Sequence, residues 1–168
     1  MVAGGATCIT CITYAGSTQV NFLLPQTAAA NLIAGYIPIS LVVDGHVSNR
    51  YSVPLSTNAL GVFNPGIINQ NGSVNTLTQP TTASQYVSVY MTGLGLPPTG
   101  TVTVSMGTQA GIVPLYSGAS SAPGEEQINV TVPAGLTPVN GAVPLSVCVS
   151  QAGTQPPLCS PSINLYVH

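Results

Sequence analysis

Two phrases of seven residues, QVNFLLP at 19–25 and QINVTVP at 127–133, stand 108 positions apart in this chain. Their neighbours repeat with them. Upstream lie Tyr14-Ala15-Gly16 and Tyr116-Ser117-Gly118. Downstream lie GYIPISLVV (35–43) and GAVPLSVCV (141–149), followed by the alternating tails NRYSVPL (49–55) and SINLYVH (162–168). Internal similarity of this kind constrains a fold more than any single residue, because each copy must satisfy one supersecondary design. Neither copy of the phrase holds an acid, base or nucleophile at a matching position. It therefore reads as a core strand.

The rest of the chain has the same texture. TCITCITY (7–14), TQVNFLL (18–24), YIPISLVV (36–43), YSVPL (51–55), QYVSVYM (85–91), TVTVSM (101–106), GIVPLY (111–116), EQINVTV (126–132), AVPLSVCV (142–149) and INLYV (163–167) are short alternating runs. A period of two is what a strand with one buried face requires. Turn signals separate them: Asp44-Gly45, Asn64-Pro65-Gly66, Asn71-Gly72, Leu96-Pro97-Pro98, Ala134-Gly135 and Gln155-Pro156-Pro157. Strands at such close, regular spacing predict an antiparallel sandwich. AAANLIAG (28–35) is the one candidate helical turn, and its counterpart GLTPVNG (135–141) argues for a loop or a short 3₁₀ piece there. Pro38, Pro54, Pro114 and Pro144 fall within or beside strand-like runs, which points to edges or bulges.

The copies differ in what precedes them. About 55 residues before Tyr116 supply three or four more strands, whereas thirteen residues precede Tyr14. The expected domains are a partial β module at 1–57, completed by another chain or by missing sequence, and a complete sandwich at 58–168. A sandwich lacking that many strands leaves an open edge and half a core uncovered. The candidate inter-subunit strands are therefore Thr7, Cys8, Ile9, Thr10, Cys11, Ile12, Thr13 and Tyr14, with Val20, Phe22 and Leu24 on the next run.

Charge sharpens the reading. Asp44, Arg50, Glu125 and Glu126 are the only Asp, Glu, Lys or Arg residues, 2% of the chain, against about 25% in an ordinary globular protein. Lysine is absent. Such a surface lacks the repulsion and the gatekeeper charges that keep strands apart, a liability in cytosol and an asset in a fibre or coat. No basic patch exists to attract nucleic acid. No apolar run reaches the length needed to span a bilayer. Met1-Val2-Ala3-Gly4-Gly5 lacks the basic and apolar regions of a signal peptide, so the expectation is a mature or excised part of a longer precursor.

Four cysteines allow three pairings. Cys148 and Cys159 flank the turn-rich SQAGTQPPL and are placed to staple a hairpin. Cys8 and Cys11 would lie on opposite faces of one strand, so they pair with each other only if the chain turns between them. Zinc is the rival reading of CITC, though one CxxC without a second pair or a nearby His is weak support. A disulfide implies an extracytoplasmic location.

QVNFLLP, VVDGHVSN (42–49), PGIINQNGSVN (65–75), YVSVYMTGLG (86–95), PLYSG (114–118) and EEQINVTVPAG (125–135) carry a family resemblance. Together they resemble an uncharacterised C-terminal domain abundant in secreted proteins of Solibacter-type acidobacteria. The resemblance runs from about residue 12 to 168 and implies an extracellular, Ig-like β region of the IPT/TIG sort with no catalytic residues to transfer. The scarce charge, the cysteines and the short start depart from that pattern and suggest specialisation toward a tough extracellular assembly. The expected fold class is thus all-β: Ig-like antiparallel β-sandwich modules, one complete and one partial, built on an internal repeat.

Candidate chemistry is sparse. Asp44 and His46 could share a face, but they sit at a predicted DG turn that favours Asp for its geometry. Adjacent Glu125 and Glu126 would point opposite ways on a strand and so form no catalytic carboxylate pair; they are expected to solvate its start. A calcium site would need more convergent oxygens than three acids readily supply, and without lysine no Lys–Asn isopeptide bond can form. Of seven tyrosines, Tyr14 and Tyr116 are expected as core or corner residues, and a sugar-binding strip from the others is a lesser reading. Asn71-Gly72-Ser73 and Asn129-Val130-Thr131 match the N-glycosylation pattern. No catalytic, metal or cofactor residue is assigned. The expectation is a non-enzymatic subunit of an extracellular filament, pilus-like fibre or surface coat, joined head to tail to copies of itself by strand complementation. The alternative is a stalk, adhesion or carbohydrate-binding module of a larger secreted protein.

Overall fold

A computed structural model describes residues 2–3, 6–8, 11–24, 35–55, 59–95, 98, 100–150 and 156–168. Among them the chain is all-β, with antiparallel sheets and no helix. It divides into two compact units, Met1–Ser56 and Thr57–His168. The segment 28–35 proposed for a helical turn lies, but for Gly35, outside the described residues.

The second unit is a sandwich of two sheets. One holds β13 (Tyr116–Ala119), β14 (Glu126–Thr131), β10 (Tyr86–Thr92) and β9 (Gly61–Asn69), in that order. The other holds β12 (Gln109–Ile112), β11 (Thr101–Met106) and β15 (Ala142–Ser150), with β16 (Leu158–Cys159) and β17 (Ile163–Tyr166) both on β15. The chain changes sheet after β10, β12 and β14, so neighbours in sequence face each other across one core. Alternation decides that core. Val87, Val89 and Met91 of β10, Ile128 and Val130 of β14, Val104 and Met106 of β11, and Leu145 and Val147 of β15 are all fully buried. Each such side chain, removed from water, contributes about 1.5–3 kcal/mol.

Polar side chains close the ends. Asn75 Nδ2 donates to Asn69 Oδ1 (2.9 Å) and to the Tyr166 carbonyl (2.9 Å), while Tyr166 N–H donates to Asn75 Oδ1 (2.7 Å). That network ties the loop after β9 to the last strand. Asn64-Pro65-Gly66, expected as a turn, instead lies inside β9. Val62 pairs with Met91 and Ile67 with Val89, so residues 63–66 bulge opposite Tyr90 alone. A bulge accommodates a proline that a regular ladder would reject.

The first unit holds β1 (Val2–Ala3), β2 (Ala6–Thr7), β5 (Tyr36–Ser40) and β8 (Tyr51–Pro54) in one sheet, ordered β2-β1-β5-β8. Two hairpins accompany it: β3 (Ile12–Ala15) with β4 (Val20–Phe22), and β6 (Val42–Val43) with β7 (His46–Val47). The run 7–14 is not the single strand expected. A disulfide joins Cys8 to Cys11, their Cα atoms 5.6 Å apart, and β3 begins only at Ile12. Nor do 12–14 and 20–22 lack an intrachain partner, because they pair with each other.

Two ladders of the first unit have the registers of two ladders of the second. Tyr36↔Pro54, Ile37↔Val53, Pro38↔Ser52 and Ile39↔Tyr51 match Ala142↔Tyr166, Val143↔Leu165, Pro144↔Asn164 and Leu145↔Ile163. Val42↔Val47 and Val43↔His46 match Cys148↔Cys159 and Val149↔Leu158. Between these blocks two residues of one strand face three of the other, in both units. The same serine mends the shift. Leu41 N–H donates to Ser48 Oγ (2.9 Å) and Ser48 Oγ–H to the Asn49 carbonyl (2.9 Å). Val147 N–H likewise donates to Ser160 Oγ (3.1 Å), which donates to the Pro161 carbonyl (3.0 Å).

Candidate functional site

The feature that distinguishes the two units is a cleft in the first, of about 540 Å³, between β4 and the β5–β8 face. Val20, Phe22, Ile39, Leu41, Val43 and Val53 supply its apolar lining, with Thr18, Gln19 and Ser40 among its polar groups. By the registers above, the apolar six correspond to Ile128, Val130, Leu145, Val147, Val149 and Leu165. All of those are at most 2% exposed. In the first unit Val43 is 65% exposed, and Val20, Phe22, Ile39, Leu41 and Val53 are half-buried. Ile37 alone is fully buried among the described residues of that unit; Cys8, Cys11, Ile12, Phe22, Ile39, Leu41 and Leu55 pack around it.

The strand pairings explain the difference. In the second unit β14 is covered on its inner edge by β10, whose outer neighbour is β9, and β15 is covered along its length by β11. In the first unit β4 pairs only with β3 among the described residues. β1 reaches β5 at two positions, Val2↔Ser40 and Ala3↔Ile39. These correspond to Ser105↔Ser146 and Met106↔Leu145, the last two pairs of β11. Where β9, β10 and the rest of β11 stand in the second unit, the described residues of the first place nothing. Among the described residues the cleft is a core left uncovered.

The hairpin bordering it is built like its counterpart. Tyr14↔Asn21 and Ala15↔Val20 match Tyr116↔Asn129 and Ser117↔Ile128. Gln19 Nε2 donates to Asn21 Oδ1 at 2.6 Å, as Gln127 Nε2 donates to Asn129 Oδ1 at 2.7 Å. Tyr14 and Tyr116 are not core residues. They are 55% and 44% exposed and fold over Gly16 and Gly118, where a Cβ would lie 2.6 and 2.8 Å from their phenol oxygens. The missing side chain makes room for each ring, and each ring shields an otherwise bare stretch of strand.

Both disulfides form within their sequence pairs, Cys8–Cys11 and Cys148–Cys159. The second bridges a register pair of the β15–β16 hairpin, where the first unit has Val42 and Val47. Ile9 and Thr10 lie outside the described residues. Asp44 and Gly45 form the tight turn expected, with φ of +49° and +80°, closed by the pairing of Val43 with His46. Glu126 does not solvate the start of its strand. It is 5% exposed, and its carboxylate accepts from Leu94 N–H (3.1 Å) and Gly95 N–H (3.0 Å). Alternation does place Glu126 on the inward phase of Ile128 and Val130, a signal that was available. Its counterpart in the first unit is Thr18, which lines the cleft.

Of the two sequons, Asn71 is exposed on a turn, its Oδ1 accepting from Ser73 N–H and Oγ–H. Asn129 is a poor glycan acceptor, because it sits half-buried in a central strand and its Oδ1 receives Ser88 and Gln127. Among the described residues no group of three or more His, Cys, Asp or Glu is placed to hold a metal, and no helix is long and apolar enough to cross a membrane. Scans against protein-family models and curated proteins return no match to this chain.

Proposed function

We propose that this chain is a structural protein of an extracellular filament, fibre or coat, without enzymatic activity, whose first unit is closed by β-strands from a neighbouring subunit. One observation carries the reading: among the described residues six cleft positions in the first unit stay half-buried or exposed, and the same six in the second are buried where β10 pairs with β14 and β11 with β15. An apolar cleft beside a strand edge is the acceptor that β-augmentation uses, with main-chain hydrogen bonds giving affinity and side-chain pockets giving register. Joining one unit's cleft to a different surface of the next subunit is heterologous, and a heterologous contact that does not close propagates. Two internal disulfides and a nearly uncharged surface fit an oxidising extracellular setting, and Asn71 is the sequon open to a glycan. On this reading the two units are copies of one module.

The test is negative-stain electron microscopy and sedimentation of the purified chain. Wild type forms filaments with a regular repeat; Phe22→Asp, which puts a charge into the cleft, abolishes them while far-UV circular dichroism still reports a folded second unit. A monodisperse wild-type particle would sink the proposal. A second reading, a carbohydrate-binding module, is favoured by a polar cleft of about 280 Å³ lined by Asn64, Asn75, Ser162, Asn164 and Tyr166; monomers that bind soluble glycans would select it.

A further inference from the structure

In the second unit the strand beside β14 is β10, and among the described residues the first unit has no counterpart to it. The facing pairs of β14 and β10 are Val130↔Val87, Asn129↔Ser88 and Ile128↔Val89, continuing to Glu126↔Met91. Val87, Val89 and Met91 enter the core and are 0% exposed. Ser88 points to the other face, where its Oγ–H donates to Asn129 Oδ1 at 2.8 Å. Asn129 is thus a reader of the adjacent strand. It accepts from Gln127 of its own strand and from a hydroxyl across the ladder.

In the first unit Asn21 holds that position with the same Gln19 bond already made and its side chain exposed. A carboxylate-free amide oxygen has two lone pairs, so one acceptor site on Asn21 remains for a donor arriving along the open edge. We infer that the cleft of the first unit selects an extended segment, running antiparallel to β4, with the pattern apolar–Ser/Thr–apolar–any–apolar. The hydroxyl residue lies opposite Asn21 and the two flanking aliphatic residues lie opposite Phe22 and Val20. This rests on the reading of the cleft as a strand acceptor and adds the chemistry of what it accepts. Because the inner positions are apolar and the outer one is read by a hydrogen bond, a one-residue slip would put the hydroxyl into the core and an aliphatic group against Asn21. Such a slip reverses every side chain of a strand, so register is fixed from both faces at once. Phe22, larger than its counterpart Val130, leaves less room opposite and favours valine over leucine or a ring there.

The chain's own β10 sequence is the natural probe. A labelled synthetic peptide of residues 85–93, QYVSVYMTG, is titrated into the full chain and followed by fluorescence anisotropy, with hydrogen exchange locating the contact. The expected result is saturable binding that slows exchange at Val20–Leu24. A Val89→Asp peptide should lose at least tenfold in affinity. Ser88→Ala should weaken binding roughly three- to tenfold, the worth of one hydrogen bond, and that loss should vanish against the Asn21→Ala chain. Asn21 is exposed, so this substitution leaves folding intact, which the unchanged spectrum of the chain verifies. The inference is overturned if the peptide does not saturate, if a scrambled peptide binds equally, or if Ser88→Ala weakens binding equally to Asn21→Ala and wild type. Peptide binding without filaments would remove the self-assembly reading while leaving the strand selectivity standing; filaments without peptide binding would do the reverse.

Discussion

Replacing Cys148 and Cys159 together by valine tests whether the bridge matters through the loop it closes. The two positions face each other in register, and the pair they would become already exists at Val42 and Val47. The cross-strand contact is therefore conserved in kind, worth about 0.2–1 kcal/mol either way. What disappears is the constraint on the unfolded chain. With a separation of 11, loop closure removes about 9 cal/mol/K from the denatured ensemble, or roughly 2.8 kcal/mol at 25 °C. Guanidinium unfolding with a slope near 3 kcal/mol/M should then show a midpoint lower by about 1 M. A second construction separates the loop from the bridge. Residues 150–157 join Val149 to Leu158, whereas Asp44-Gly45 alone join Val43 to His46. Shortening the longer loop to Asp-Gly in the valine variant reduces the loop from eight residues to two, which recovers about 1.2 kcal/mol by the logarithmic rule. An unchanged midpoint in the double valine variant would refute the loop-entropy reasoning. So would a shortened variant no more stable than the unshortened one.

Two further outcomes follow from single positions. Glu126→Ala leaves two backbone N–H groups at Leu94 and Gly95 without their carboxylate, and should destabilise the second unit by about 2–4 kcal/mol, with Glu126→Gln losing less because one acceptor oxygen remains; denaturant midpoints decide. Gly93→Ala places a Cβ against the Ala59 backbone at φ +85°, whereas Gly118→Ala meets only the swinging phenol of Tyr116. Thermal unfolding should show the first losing several kcal/mol and the second about 1 kcal/mol or less.

Much of the fold was legible because its signals are local. Period-two alternation found the strands, Asp44-Gly45 announced a tight hairpin, and the spacing of Cys148 and Cys159 announced a staple. The errors occurred where a long-range partner decides a residue's role. Glu126 carries a charge that normally seeks water, and only the folded path of 94–95 supplies the two N–H groups that hold it inside. Asn64-Pro65-Gly66 has turn chemistry, yet β10 on one side keeps the chain extended and turns the proline into a bulge. Tyr14 and Tyr116, expected as core or corner residues, are exposed, and their case is local: each ring lies over the glycine two residues on. The candidate site was legible only as an imbalance between the two similar stretches of sequence. Its lining was not, since Val43 and Val149 read alike in sequence and differ only in what lies over them.

Ser48 and Ser160 have a consequence for how such a module can diversify. Each takes the backbone bond at the point where the ladder slips by one residue, so the arm beyond it is registered separately from the arm below. A ladder interrupted in this way insulates its base from its tip. The tip can be a two-residue turn or an eight-residue excursion clamped by sulfur, and Ile37↔Val53 and Val143↔Leu165 stay in step beneath it. For anyone wishing to display a foreign peptide on this scaffold, the serine marks the line above which the chain tolerates rewriting.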